Sequence, residues 1–246
     1  NDFTVTYSVE LDRGIGVDDN SLTFDFGDAG VLSFAGHGGS SFLSANDDVM
    51  PTASEEPWDV ITGADTGVIN GHAANNAFKY TYAHESGLNL TLTYINAADA
   101  ENDVSYSDYG VTYTGMEGLT VGYGQGDVEQ TTNTKSDEST MFAKYAIGAI
   151  TVGLQVSEKD NESGNDYETT GVGISYQVND DLAVSYGNHE IEEVSSGNPD
   201  QESAAVSFSY TMGSLGIVGT IHDVDNIDNS STNSREAYSL GLSFNF

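Results

Sequence analysis

The chain ends Glu236-Ala-Tyr-Ser-Leu-Gly-Leu-Ser-Phe-Asn-Phe246. From Tyr238 onward every second residue is large and apolar: Tyr238, Leu240, Leu242, Phe244, Phe246. Ser239, Gly241, Ser243 and Asn245 fill the other parity. A period of two is the mark of a strand with one greasy face. Left in water, such a face is an aggregation hazard. The rest of the chain sharpens the conflict. Among 246 residues, Lys plus Arg number 6 against 39 Asp plus Glu, a net charge of −33 with 37% hydrophobic content. Something other than water must meet that face.

The same unit recurs along the whole sequence. Alternation predicts fourteen strands, near 2–11, 20–26, 30–36, 74–83, 86–95, 104–114, 118–125, 138–147, 149–157, 167–177, 181–189, 202–211, 214–222 and 235–246. Ile150, Val152, Leu154 and Val156 show the pattern plainly, as do Leu88, Leu90, Leu92 and Tyr94. Tight turns such as Gly115–Gly118 and Met212–Ser214 alternate with polar links such as Gly126–Asp137 and Glu190–Gln201. The longest link runs from His37 to about Ala73. Strict short–long alternation gives a barrel one rim of turns and one of loops, the pattern of a transmembrane β-barrel. A soluble sandwich has no reason for it. Aromatic residues fall at matching positions near the turn rim (Phe24 and Phe26, Tyr80 and Tyr82, Tyr113, Tyr145, Tyr176, Phe208 and Tyr210, Phe244 and Phe246), and Tyr7, Phe34, Tyr94, Tyr123 and Tyr186 fall near the other. Two aromatic belts are what a lipid–water boundary calls for. Membrane lipid is therefore the expected partner of the apolar face.

Other classes fall away. The acidic balance repels nucleic acid. Low hydrophobicity with high charge suggests disorder, but the ordered alternation argues against it. There is no Cys, hence no disulfide framework and no thiol metal site. The long uncharged stretch Ser203–His222 alternates, turns at Met212-Gly213-Ser214 and alternates again, so it reads as a hairpin and not a spanning helix. The opening Asn1-Asp-Phe-Thr-Val-Thr-Tyr lacks a signal-peptide pattern and reads as a mature or trimmed start. The five histidines, His37, His72, His84, His189 and His222, have no zinc spacing, and HExxH, GxSxG and phosphate-loop motifs are missing. No catalytic constellation is visible, which points away from an enzyme.

The alternating strands, the terminal Tyr238-x-Leu240-x-Leu242-x-Phe244-x-Phe246 and the one oversized loop 37–73 resemble the general porins of Gram-negative outer membranes. The resemblance implies an outer-membrane diffusion channel for ions and small hydrophilic solutes, assembled as a homotrimer. It also implies a long loop folded into the lumen to narrow it. Sixteen strands are usual there, and the folded loop follows the fifth; here it follows the third expected strand. The resemblance thus implies an N-terminal hairpin beyond this sequence, with a fourteen-strand barrel as the alternative.

The loop carries Asp47, Asp48, Glu55, Glu56, Asp59 and Asp65 and no Lys or Arg. Folded inward, these carboxylates line a constriction that favours cations. Parity puts Glu10, Asp25, Lys79, Asp108 and Lys144 on the lumen wall, where they either set the field or merely solvate the strand. A lipid-facing charge at mid-depth would cost roughly 2–4 kcal/mol. Trp58 is expected to pin the loop, or else to stack a ligand. Asp223, Asp225 and Asp228 offer hard oxygens for calcium, without the glycine and terminal glutamate of a helix–loop–helix site. No cofactor is required. Two further readings remain: a barrel for adhesion or surface coating, which would project loop 37–73 outward, and a soluble acidic β-protein, which the outward Phe, Leu and Tyr stripes contradict.

Overall fold

The computed structural model describes residues 3–11, 17–64, 69, 73–96, 104–130 and 135–244. Asp65, His72 and Phe246 lie outside them. Sixteen strands are present among the described residues: β1 Thr4–Leu11, β2 Val17–Asp25, β3 Val31–Ala35, β4 Gly39–Ser40, β5 Ala73–Ala74, β6 Ala77–Ala83, β7 Leu88–Ile95, β8 Val104–Tyr113, β9 Leu119–Gln130, β10 Lys135–Ile147, β11 Ile150–Asn161, β12 Tyr167–Gln177, β13 Leu182–Glu193, β14 Gln201–Met212, β15 Leu215–Asp225 and β16 Arg235–Phe244. Fourteen join in one sheet, each paired with its sequence neighbour, in the order β1-β2-β3-β6 and then consecutively to β16. The two-residue strands β4 and β5 pair only with each other. Among the described residues no helix is long and apolar enough to cross a membrane.

Every ladder is antiparallel, and its register puts one parity on each face. Along β11 the outward side chains are Ile150, Val152, Leu154 and Val156; across the ladder stand Tyr176, Ile174 and Val172 of β12. These outward residues are open: Leu154 is 47% exposed, Tyr238 86% and Leu240 68%. The opposite face is polar yet buried, with Thr140, Gln155, Ser157, Ser203 and Ser207 among its most enclosed residues. A soluble protein has these polarities reversed. The sheet forms an antiparallel β-barrel wall with lipid outside and a polar interior.

The fourteen expected strands are all present, but several run longer than the apolar alternation. β9 continues to Gln130, β11 to Asn161, β13 to Glu193 and β15 to Asp225. The added outward positions are carboxylates facing each other across the ladders: Asp127, Asp137 and Asp160; Glu158, Glu168 and Glu192; Glu190, Glu202 and Asp225; Asp223 and Glu236. Like charges directly opposite destabilise a sheet, and these are tolerable only in water. The greasy pattern therefore stops where lipid stops, while the hydrogen-bonded ladder continues beyond it. The polar links expected at 126–137, 158–166, 190–201 and 223–234 are shorter for that reason.

β1 and β16 share no ladder among the described residues. All eight residues of β1 are exposed.

The face assignment has a direct check. Leu154→Arg should lower folding stability by roughly 2–4 kcal/mol, because it places a charge near mid-depth, while Glu158→Arg at the rim should cost about 1 kcal/mol or less. Urea-dependent folding into phospholipid vesicles measures both. Equal effects would contradict the placement of the lipid boundary.

Candidate functional site

Segment 39–64 lies against the polar face of the sheet. Its hydrogen bonds reach strand after strand of the wall. Lys79 Nζ on β6 donates to Ser40 Oγ at 3.0 Å. The Leu43 amide donates to Asp108 Oδ2 on β8 at 2.9 Å. Gln155 on β11 accepts from the Val49 amide at 3.1 Å and donates to the Asn46 carbonyl at 2.8 Å. Ser185 Oγ on β13 accepts from the Ala53 amide at 2.8 Å. Ser207 Oγ on β14 donates to the Glu55 carbonyl, and Ser239 Oγ on β16 to the Glu55 carboxylate at 2.7 Å. Arg235, starting β16, donates to the Thr62 carbonyl at 2.7 Å. A run of 23 residues, Ser40 to Thr62, thus meets strands from β6 to β16, so the sheet curls around it.

Glycines on the inner wall make the room. Phe42 lies over Gly110 and Gly124, which face each other across β8 and β9. Met50 and Pro51 lie over Gly153 and Gly173, and Pro57 over Gly187. The last three form a cross-strand row on β11, β12 and β13. A Cβ at Gly173 would stand 3.0 Å from Pro51 Cδ, and one at Gly187 3.0 Å from Pro57 Cγ. Proline has no amide hydrogen to satisfy, so it can lie on bare backbone without leaving an orphan donor. Two apolar anchors complete the contact. Phe42 and Leu43 pack with Ile69, Ile95, Tyr106, Val128, Phe142 and Ile191. Ile61 packs with Val224 and Ile227. Trp58 packs against His189, the ring centroids 4.4 Å apart and the planes tilted by 57°.

The loop carboxylates fall into three settings. Asp47 is exposed, yet the protein around it displaces enough water to raise its pKa above the usual carboxylate value. Glu55 is tied to the wall, its carboxylate also 3.4 Å from His222 Nε2. Asp48, Glu56 and Asp59 form one cluster. The Met50 amide donates to Asp48 and the Glu56 amide to Asp59. Glu56 shares side-chain hydrogen bonds with both carboxylates, and burial followed by the Asp48 charge pushes its pKa up to about 8. Asp48 is raised as well, chiefly by burial. Three carboxyls this close cannot all ionise cheaply, so Glu56 holds the shared proton at neutral pH. Asp65 lies outside the described residues.

The wall charges separate too. Lys79 and Asp108 hold the loop, and Asp108 also accepts from the Tyr106 hydroxyl. Asp25 accepts from the Gly27 amide and caps the first tight turn. Glu10 is exposed on β1, across from Asp19. Lys144 lies on the inner face of β10. Asp223 and Asp225 are on the outward parity of β15 and Asp228 is beyond its end. Among the described residues they and their neighbours form no group of three or more His, Asp or Glu side chains placed to hold a metal.

The family model described as Gram-negative porin matches residues 2–246. The chain belongs to that porin family, and its place is the outer membrane. Solved structures agree in fold. The anion-selective porin from Comamonas acidovorans superposes with a TM-score of 0.69 at 15% identity, over 97% of this chain and 82% of its own. The trimer form of OmpT, an outer membrane protein of Vibrio cholerae, gives 0.64 at 12% identity over 99% of each chain. Salmonella typhi OmpF in complex with daunomycin gives 0.66 at 13% identity over 94% and 79%. A search of curated proteins returned no match.

Several inner-wall residues of this porin escaped the sequence reading. Gln155, His189, His222 and the near-buried Glu138, paired with Lys159 at 2.9 Å, all share the inward parity of their strands. So do Tyr106, Phe142 and Ile191, which break the small-and-polar rule of that face because the loop covers them. The signal was there in one form: an aromatic on the wrong parity marks a place where something packs.

The raised Glu56 pKa has a signed consequence. Below about 4.5 both the folded and unfolded states are protonated; above it the folded state binds more protons, so stability is lost as pH rises through about 8. The thermal midpoint in detergent should fall between pH 6 and 9, and Glu56→Gln, which mimics the neutral form, should flatten that fall. An equal slope in both proteins would contradict the shared proton.

Proposed function

We propose that this porin is a passive diffusion channel for ions and small hydrophilic solutes, that segment 39–64 sets its narrowest part, and that the channel prefers cations and works as a homotrimer. The observation that carries the selectivity is the charge on that segment. Asp47, Asp48, Glu55, Glu56 and Asp59 follow the inner wall with no Lys or Arg between them. Even with Glu56 protonated, four carboxylates remain against the wall cations. Of these, Lys79 is committed to Ser40 and Arg235 to Thr62. Carboxylates in a narrow passage with protein walls focus the potential, concentrate cations and repel anions. The Comamonas porin is titled anion-selective, but at 15% identity its likeness speaks for the fold alone, and the sign of selectivity follows from each chain's own charges. The adhesive reading needs a loop that projects, and the contacts of 39–64 with wall strands from β6 to β16 weigh against it. The trimer rests on the family and on the trimer form of the Vibrio protein. The least aromatic outward stripe, Leu215–Ile221 on β15, suits packing between copies.

Reversal potentials across a planar bilayer under a KCl gradient test this reading. Potassium should be preferred over chloride, more strongly above pH 8, where Glu56 ionises. The preference should weaken as salt rises, since the Debye length falls from roughly 10 Å at 0.1 M to 3 Å at 1 M. Neutralising Asp47, Asp48, Glu55 and Asp59 together should move the potential toward zero. Chloride preference at low salt would refute the charge argument. A monomeric mass in mild detergent would refute the trimer.

A further inference from the structure

Lys144 is the one cation among the described residues that makes neither a hydrogen bond nor an ion pair. The other four all do: Lys79 with Ser40, Lys135 with Glu129 at 2.7 Å, Lys159 with Glu138 at 2.9 Å, and Arg235 with Thr62. In a chain of 39 acids, partners are not in short supply. Lys144 faces a cavity of about 520 Å³ on the inner face, at the tight-turn end of the barrel. Pro51 and Thr52 of the inner loop border one side and the Met116–Leu119 turn another, and the cavity is open to water. Register surrounds the ammonium with hydroxyls and space. Thr120 of β9 is directly across from Lys144, and Gly153 of β11, opposite on the other side, contributes no side chain. Two residues on, Thr151 faces Ser175 of β12. Thr120, Thr151 and Ser175 line the cavity, and none of their hydroxyls bonds to another described residue. One free cation, three free hydroxyls and a loop lid make a recognition surface, where a bare wall would need only solvation.

We propose that this cavity is a transit site for a small hydroxylated oxyanion of the sugar-phosphate class, entering from the tight-turn rim. The ammonium takes the charged oxygens, since charge-assisted hydrogen bonds are the stronger kind. Each hydroxyl can donate or accept, which suits a polyol. The volume lies within the range of small-ligand sites. Glu117 also lines the cavity and repels an anion, so the site holds its ligand only loosely, as a transit site requires. The inference goes beyond the cation preference, which arises at the loop carboxylates, and rests on the channel reading only for access.

The test is block of potassium current through the full-length protein in a planar bilayer, with glucose 6-phosphate, inorganic phosphate or glucose added on the tight-turn side. Glucose 6-phosphate should block at roughly millimolar concentration, inorganic phosphate more weakly, and glucose hardly at all. Lys144→Gln should raise the half-blocking concentration about tenfold or more, as expected for losing one charge-assisted contact. Glu117→Gln should lower it. A conducting channel in which glucose 6-phosphate does not block, or blocks wild type and Lys144→Gln alike, overturns the site and leaves the channel reading standing. Absence of conductance would sink the channel reading instead. Titration calorimetry of glucose 6-phosphate into the detergent-solubilised protein then decides the site independently, equal binding by both proteins overturning it.

Discussion

No backbone polar group can be left unpaired in hydrocarbon, because lipid offers no hydrogen-bond partner. That single constraint orders the whole molecule. It drives the membrane-crossing strands to pair with their neighbours, and it leaves the side chains as the main freedom. One parity must please lipid and the other must please water, so the sequence alternates from Phe3 to Phe244. Where lipid ends, the constraint ends. The outward parity then changes from aliphatic and aromatic to Asp and Glu on strands that go on pairing, directly at Val156 and Glu158 of β11 and through one small or polar residue, such as Ser139 or Asn188, on others.

The interior obeys a second demand. A polar segment laid inside a barrel must give its own amides and carbonyls partners, since buried backbone groups are costly when unmet. The wall supplies them through short polar side chains at the right parity: Gln155, Ser185, Ser207 and Ser239. It supplies clearance through the Gly153–Gly173–Gly187 row. The loop answers with residues that need little: Pro51 and Pro57 over the glycines, Phe42 and Trp58 as apolar plugs. Its carboxylates are the groups left over for the solvent path, and crowding takes one of their charges away at Glu56. The loop is thereby held at many points, and the acids left charged on it are Asp47, Asp48, Glu55 and Asp59.

Much of this was legible in the sequence, and the reason is that lipid enforces a period of two on one face. Fourteen strands and the lipid face follow from apolar parity, and the two rims from the alternation of short and long connections. Strand ends did not, since Asp127, Glu158 and Glu190 look like loop residues although they sit in ladders. The inner face was the harder half. Glycine there reads as slack, and only the loop lying above Gly173 or Gly124 gives it meaning. Asp108 and Lys79 were found by parity, but their role as loop anchors depends on contacts with Leu43 and Ser40, far away in sequence. The neutral state of Glu56 depends on Asp48 and Asp59 meeting in space, which composition cannot express; counting acids overstated the charge.

The central claim is that the barrel encloses a water path narrowed by its own inner segment. Single-channel conductance tests it most directly, comparing the native protein with one in which the segment is bridged. Ser40 and Ala73 stand directly opposite each other in the β4–β5 pair, so an Asn-Gly turn can join them in place of 41–72. The account predicts stepwise, ohmic conductance in the native protein and clearly larger steps in the bridged one. Steps of equal size in two proteins that both fold, or no steps from the native protein, would contradict it.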